Sequence, residues 1–223
     1  MELKRGMRDR LDKYLNLNST IEAEMTISGS GVYDFCCFGV DMSDKLSDDR
    51  YMIFYNQTTS PQNEITYRNN GNSAFFVLNL SKLPNSIQKL VFTVSIDGNS
   101  TMSSITGHSF TLKQNGNSVL NLKLNGSDFK QEKAIITVEI YRKDTWRINA
   151  VARGFNGGLG DLLRSYGGEE IMGSDTTNSQ DKASNAPNRV NLVKSEEDLT
   201  NEMMSKISSS RDKVNLEKHV VNL

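Results

Sequence analysis

From Ile21 to Ile148, apolar and polar residues alternate in short runs instead of recurring every three or four positions. A period of two is the mark of half-buried strands, because successive side chains point to opposite faces. The pattern predicts strands at 21–28, 33–40, 51–56, 75–80, 89–96, 108–113, 118–124, 134–141 and 145–151. Turn chemistry separates them: Ser28-Gly29-Ser30-Gly31, Asn69-Asn70-Gly71-Asn72, Asp97-Gly98-Asn99, Asn115-Gly116-Asn117 and Asn125-Gly126-Ser127. Asn115-Gly116 between two alternating runs is a hairpin signal. Many short strands at this spacing, without a helix between them, predict an all-β fold: an antiparallel sandwich of two sheets.

Two stretches depart from that period. Leu3, Met7, Leu11 and Leu15 recur at helical spacing among Lys4, Arg5, Arg8, Arg10 and Lys13, which predicts a short amphipathic helix over 3–15. Such a helix would dock on the domain, or give weak contact with a membrane surface or an anionic partner. After the last strand, Gly154 to Gly168 is rich in glycine. It lacks the second-strand carboxylate and the lysine that nucleotide loops need. A helix over 158–166, stopped by Gly167, explains it better.

Apolar residues concentrate between Ile21 and Tyr166, and the residues beyond Tyr166 are mostly polar. The expected organisation is therefore residues 1–20 as helix and connection, 21–168 as the sandwich, and 169–223 as a flexible arm. Within that arm 171–194 reads as a linker. Ser195-Glu196-Glu197-Asp198 resembles a helix start, with Leu199, Met203 and Ile207 as its stripe. Val214, Leu216, Val220, Val221 and Leu223 look like the opening strand of a further domain.

Composition narrows the functions. A formal net charge of -1 gives no general pull toward nucleic acid. The aromatics lie on strands and are not interleaved with Lys or Arg as a stacking platform would be. No run approaches the roughly 20 apolar residues of a membrane span, and no secretory signal opens the chain, so the cytoplasm is expected. Cys36 and Cys37 are adjacent, so on a strand they face opposite ways and do not bridge each other. His108 and His219 are the only histidines, neither beside a nucleophile motif. No paired-carboxylate, zincin or phosphate-loop pattern is present, which points away from an enzyme.

The remaining chemistry is acidic. Ser47-Asp48-Asp49-Arg50 opens the run Tyr51 to Gln57, and adjacent carboxylates at a strand mouth are oxygen donors for a hard cation. They could equally cap a turn and pair with Arg50 or Arg68. Five blocks then resemble the TerD family of tellurium-resistance and stress-response proteins: Tyr33–Asp41, Ser47–Gln57, Leu83-Pro84 with Ile87–Phe92, Glu139–Lys143 with Trp146, and Gly154–Leu159. The resemblance covers roughly residues 21 to 168.

It implies a non-enzymatic β-sandwich that binds calcium among stress-response proteins. Carried over by position, the metal ligands are Asp34, Asp48, Asp49 and Asn56. Two departures stand out. Val32 and Cys36 occupy the first-aspartate and serine positions of the family's Asp-x-Asp-x-Ser stretch. The family's acidic loop is here Asn69-Asn70-Gly71-Asn72-Ser73, leaving Asn69, Asn70 and Asn72 as neutral donors of a second loop. Neutral amides keep oxygen donors but lose much of the attraction for Ca2+. The alternative is a metal-free interaction or scaffold module. Residues 213–223 resemble the lead-in to a von Willebrand factor A domain, which would make a fused domain the partner and this chain a truncated piece.

Overall fold

A computed structural model describes residues 1–171, 188–194, 199 and 200. The helix and strand expected over 195–223 fall almost entirely outside the described residues. The chain runs β1 (Glu2–Leu3), β2 (Arg8–Arg10), β3 (Ile21–Ser28), β4 (Tyr33–Val40), β5 (Met52–Ile53), β6 (Ile65–Asn70), β7 (Ser73–Leu78) and β8 (Lys89–Ile96). It continues through β9 (Gly107–Gln114), β10 (Asn117–Leu124), β11 (Ala134–Arg142), β12 (Trp146–Asn149), β13 (Arg153–Phe155), helix α1 (Leu159–Ser165), β14 (Gly168–Ile171) and β15 (Asn188–Asn191).

Two sheets form the body. One has the order β1-β10-β9-β3-β7-β6; the other has β2-β12-β11-β8-β4-β5, with β13 also on β11. Pairing within them is antiparallel except that β1 runs parallel to β10. The β9–β10 hairpin turns on Asn115 (φ +52°) and Gly116 (φ +76°), the paired left-handed conformation the sequence signal demands.

Alternation decides what is buried. Ile21, Ala23, Met25 and Ile27 of β3 face the other sheet, while Glu22 and Glu24 face out and pair with Lys113. A ladder of rings, Tyr67–Phe76–Phe92–Phe110, crosses the interior at centroid distances of 5.0, 5.4 and 5.2 Å. The second sheet is apolar on both faces. Tyr33, Phe35 and Cys37 enter the inter-sheet core, while Cys36, Phe38 and Val40 join an outer cluster under Leu159, Leu162 and Leu163 of α1. The two cysteines therefore point apart, and both thiols are free and buried. Gly39 lets Tyr51 approach: a Cβ there would stand 2.9 Å from that of Tyr51.

The N-terminal helix is not formed. Gly6 turns the chain at φ +79°, and Leu11–Lys13 is a single 3-10 turn. Leu3, Leu11 and Leu15 all reach the inter-sheet core, so the helical spacing was real but the surface it meets is two-sided. Thirteen residues containing a glycine gain little as a helix. As edge strands they satisfy backbone groups, with Asn121 N–H donating to Met1 O, Gly6 N–H to Ala150 O and Ala150 N–H to Met7 O. The membrane or partner contact expected of that helix loses its basis. The helix after the strands is present, and Gly167 (φ +82°) closes it by donating to Arg164 O at 3.0 Å.

Residues 1–193 make one compact unit and 194–223 another. Among the described residues no helix is long and apolar enough to cross a membrane.

Candidate functional site

The strand β4 separates the carboxylates expected to share an ion. Its register places Cys37 opposite Ile53 and Phe38 opposite Met52, so the 3-10 turn Asp49–Tyr51 sits at the far end of β4. Asp34 lies at the near end, five residues above Gly39, or about 17 Å at ~3.3 Å per residue. It shares the outer face of the sheet with Cys36. Asn69 and Asn70 close β6, and Gly71-Asn72 forms the hairpin tip, whose Asn72 carbonyl accepts from Ile27 N–H at 2.9 Å. That tip is at the Asp34 end but belongs to the other sheet.

Asp48 is already engaged. Its Oδ1 accepts from Arg50 N–H at 3.1 Å and from Nε at 2.9 Å, and its Oδ2 accepts from Arg50 Nη2 at 2.7 Å. The Arg50 guanidinium holds the Asp48 carboxyl below its ordinary value. Arg68 lies instead over the Phe75 ring at 3.9 Å and beside Glu22 at 3.4 Å. Asp49 is half-buried, and burial, then the Asp48 charge, push its carboxyl up. Among the described residues no three or more His, Cys, Asp or Glu side chains converge where they could hold a metal. Calcium asks for six to eight oxygens at about 2.3–2.6 Å. Asp34, Asp48, Asp49 and Asn56 do not fit a single Ca2+.

Asn56 does something else. Phe54 and Gln57 exchange backbone hydrogen bonds of 3.0 and 3.1 Å, so Tyr55 and Asn56 stand at the tip of a tight turn. The Gln57 side-chain amide fastens the turn from behind, donating to Asp49 O at 2.8 Å and Met52 O at 2.7 Å. From the tip, Asn56 Nδ2 donates to Asn191 O at 2.9 Å and to Val193 O at 2.7 Å. Tyr55 O–H donates to Leu192 O at 2.6 Å. Three consecutive carbonyls of an extended segment are thus held by two neighbouring side chains. Val190, only 7% exposed, anchors the same segment in the outer cluster with Cys36, Phe38, Met52 and Phe54. The alternation Val190-Asn191-Leu192 was the available signal for this strand, hidden in a stretch whose polarity suggests a linker.

Beneath the turn, Glu64 is 1% exposed and accepts from Tyr51 O–H at 2.9 Å, Ser60 O–H at 2.5 Å and Gln62 N–H at 3.0 Å. Burial pushes this carboxyl up, but the donors outweigh it and leave it below its ordinary value. Glu64→Ala orphans three donors and is expected to cost about 3 kcal/mol in chemical denaturation, with Glu64→Gln costing less. A loss below about 1 kcal/mol would show that water replaces the carboxylate.

Among the described residues, the imidazole of His108 and the thiols of Cys36 and Cys37 are buried. His108 lies between the sheets, with Nδ1 2.8 Å from Thr26 O and Nε2 2.9 Å from Thr137 Oγ1. Burial lowers its pKa to about 4. Burial likewise pushes the thiols of Cys36 and Cys37 up, away from the thiolate needed for nucleophilic attack.

The sequence profile described as TerD domain matches residues 1–166. The chain belongs to the TerD family. It is 35% identical over 119 residues to tellurium resistance protein TerA of Alcaligenes sp, a match of 52% of this chain and 34% of TerA. The chain thus spans about a third of that longer relative. It is 27% identical over 148 residues to general stress protein 16U of Bacillus subtilis (strain 168), covering 60% of this chain and 76% of that one. Its fold is similar to that of the TerD homologue SCO6318 from Streptomyces coelicolor A3(2). There the TM-score is 0.50 at 15% identity, over 65% of this chain and 94% of the homologue. This TerD-family chain is a β-rich, two-sheet domain related to tellurium-resistance and stress proteins, and the family profile begins at residue 1, where the edge strands begin.

Proposed function

We propose that this TerD-family chain is a non-enzymatic module of a tellurium-resistance or general stress response, acting through protein contacts in the cytoplasm. The observation that carries the reading is the Tyr55–Asn56 turn, which spends its polar groups on three carbonyls of an extended chain. Support also comes from relatives whose names place them in tellurium resistance and stress. Its partners on this reading are other stress-response proteins or a von Willebrand A-type domain fused after this unit. Nucleic acid is not among them.

One observation favours the calcium reading: Asp49 remains a half-buried carboxyl beside Asp48. Calorimetry and thermal unfolding in millimolar Ca2+ separate the two readings. A module without an ion gives no heat and no stabilisation, and the double variant Asp48→Ala/Asp49→Ala behaves the same with and without Ca2+. An ion-dependent rise in unfolding temperature that this variant abolishes would replace the interaction module by a calcium sensor.

A further inference from the structure

We infer that the Tyr55–Asn56 turn and the adjoining outer cluster form a recognition site for an extended peptide segment of a partner protein, occupied in the resting chain by residues 190–193. The inference deepens the interaction-module reading by naming its surface.

The occupant defines the ligand. Val190 fills an apolar position among Cys36, Phe38, Met52 and Phe54. The next three carbonyls, of Asn191, Leu192 and Val193, are the ones clamped. The three clamp hydrogen bonds all end on main-chain carbonyls of the occupant, so the site selects an extended backbone preceded by one medium-sized apolar residue, β-branched as here. This is the logic of strand-type peptide recognition: main-chain hydrogen bonds give affinity and one pocket gives selectivity.

The resting occupant is poised for replacement. β14 and β15 are a parallel pair of four residues each, Gly168 opposite Asn188 through Ile171 opposite Asn191. A two-stranded pair is not stable alone, and parallel pairing is the weaker kind. Residues 172–187 must bridge only from Ile171 back to beside Gly168, about 10 Å at ~3.3 Å per residue. Sixteen residues can reach roughly 50 Å. A partner segment that fits the apolar position better, or is presented at high local concentration, displaces it.

The test uses the full chain and a fluorescently labelled hexapeptide, Asn-Arg-Val-Asn-Leu-Val, the sequence of 188–193. Val190→Asp weakens the resident segment without touching the site. It is expected to raise affinity for the peptide about tenfold or more over the unmodified chain. In that background, Tyr55→Phe or Asn56→Ala lowers the affinity about tenfold, the effect of losing a well-formed hydrogen bond. Independently, amides of 190–193 in the unmodified chain should exchange at least about a hundredfold faster than those of β4 and β8. The proposal is overturned if those amides exchange only as slowly as β8, if Val190→Asp leaves peptide affinity unchanged, or if the clamp substitutions have no effect. Concentration-dependent dimerisation of the unmodified chain with the segment exchanged would make the occupant a second copy and would also overturn it. Hydrogen exchange decides alone should Val190→Asp fail to fold. A failed peptide test beside a null Ca2+ titration leaves an interaction module that works through another surface. A positive Ca2+ titration removes the module reading whatever the peptide does.

Discussion

Phe92→Ala should lower the unfolding free energy by about 4 kcal/mol and the unfolding temperature by about 10 °C. Phe92 sits mid-strand in β8, with β4 on one side and β11 on the other. Its ring meets Phe76 and Phe110 edge-on, both from the opposite sheet, and all three are fully buried. Removing it therefore cuts a ladder that ties the sheets together, and the rigid strands on both sides restrict collapse into the void. Phe75, one residue from Phe76 on the outer face, is the internal control. It is half-buried beneath the Arg68 guanidinium, and Phe75→Ala is expected to cost under about 1 kcal/mol. Urea denaturation at constant m measures both. Equal losses for Phe92→Ala and Phe75→Ala would contradict the assignment of the two faces.

That contrast also shows what alternation can reveal. The period-two runs located β3, β4 and β8 at their observed bounds, because each has at least one wholly apolar face. β6 carries no such signal: only Ile65 and Tyr67 face inward, and the strand ends in Asn69-Asn70, which reads as turn. It is an edge strand, where polar residues are favoured. The run 51–56 was legible as extended, and Met52–Ile53 is a strand, but Tyr51 ends a 3-10 turn and Tyr55-Asn56 form a tight reversal. Asp48 as a cap, paired to Arg50, was readable from local sequence because every atom involved lies within two residues.

The separation of Asp34 from Asp48 was not legible, since it depends on which end of β4 each occupies. Asn56 illustrates the same limit. Its partners lie 135 and 137 residues away, and nothing local distinguishes an amide that will coordinate an ion from one that will donate to a carbonyl.

Stability should also fall by about 3 kcal/mol as pH drops from about 6.5 to about 4, and His108 should account for most of it. In the native chain this imidazole is enclosed between Thr26 and Thr137, and burial lowers its pKa to about 4. In the unfolded chain it titrates near the ordinary value of about 6.5. Between those two values the unfolded state binds a proton that the native state refuses, so stability rises with pH across the window. The contribution is complete above about 6.5 and is lost as pH falls through about 4. Glu64 acts lower: its native carboxyl titrates below the ordinary range, so its share disappears only in more acid solution.

Urea midpoints at pH 7.5, 6.5, 5.5 and 4.5, in a His219→Asn background, isolate the remaining histidine. His108→Gln keeps a donor near Thr137 but cannot titrate. It should begin about 1–2 kcal/mol less stable at neutral pH and then stay flat to pH 5. Parallel pH profiles for the two proteins would mean that protonated His108 is accommodated between the sheets, and that the Thr26–His108–Thr137 link between them opens to water without unfolding.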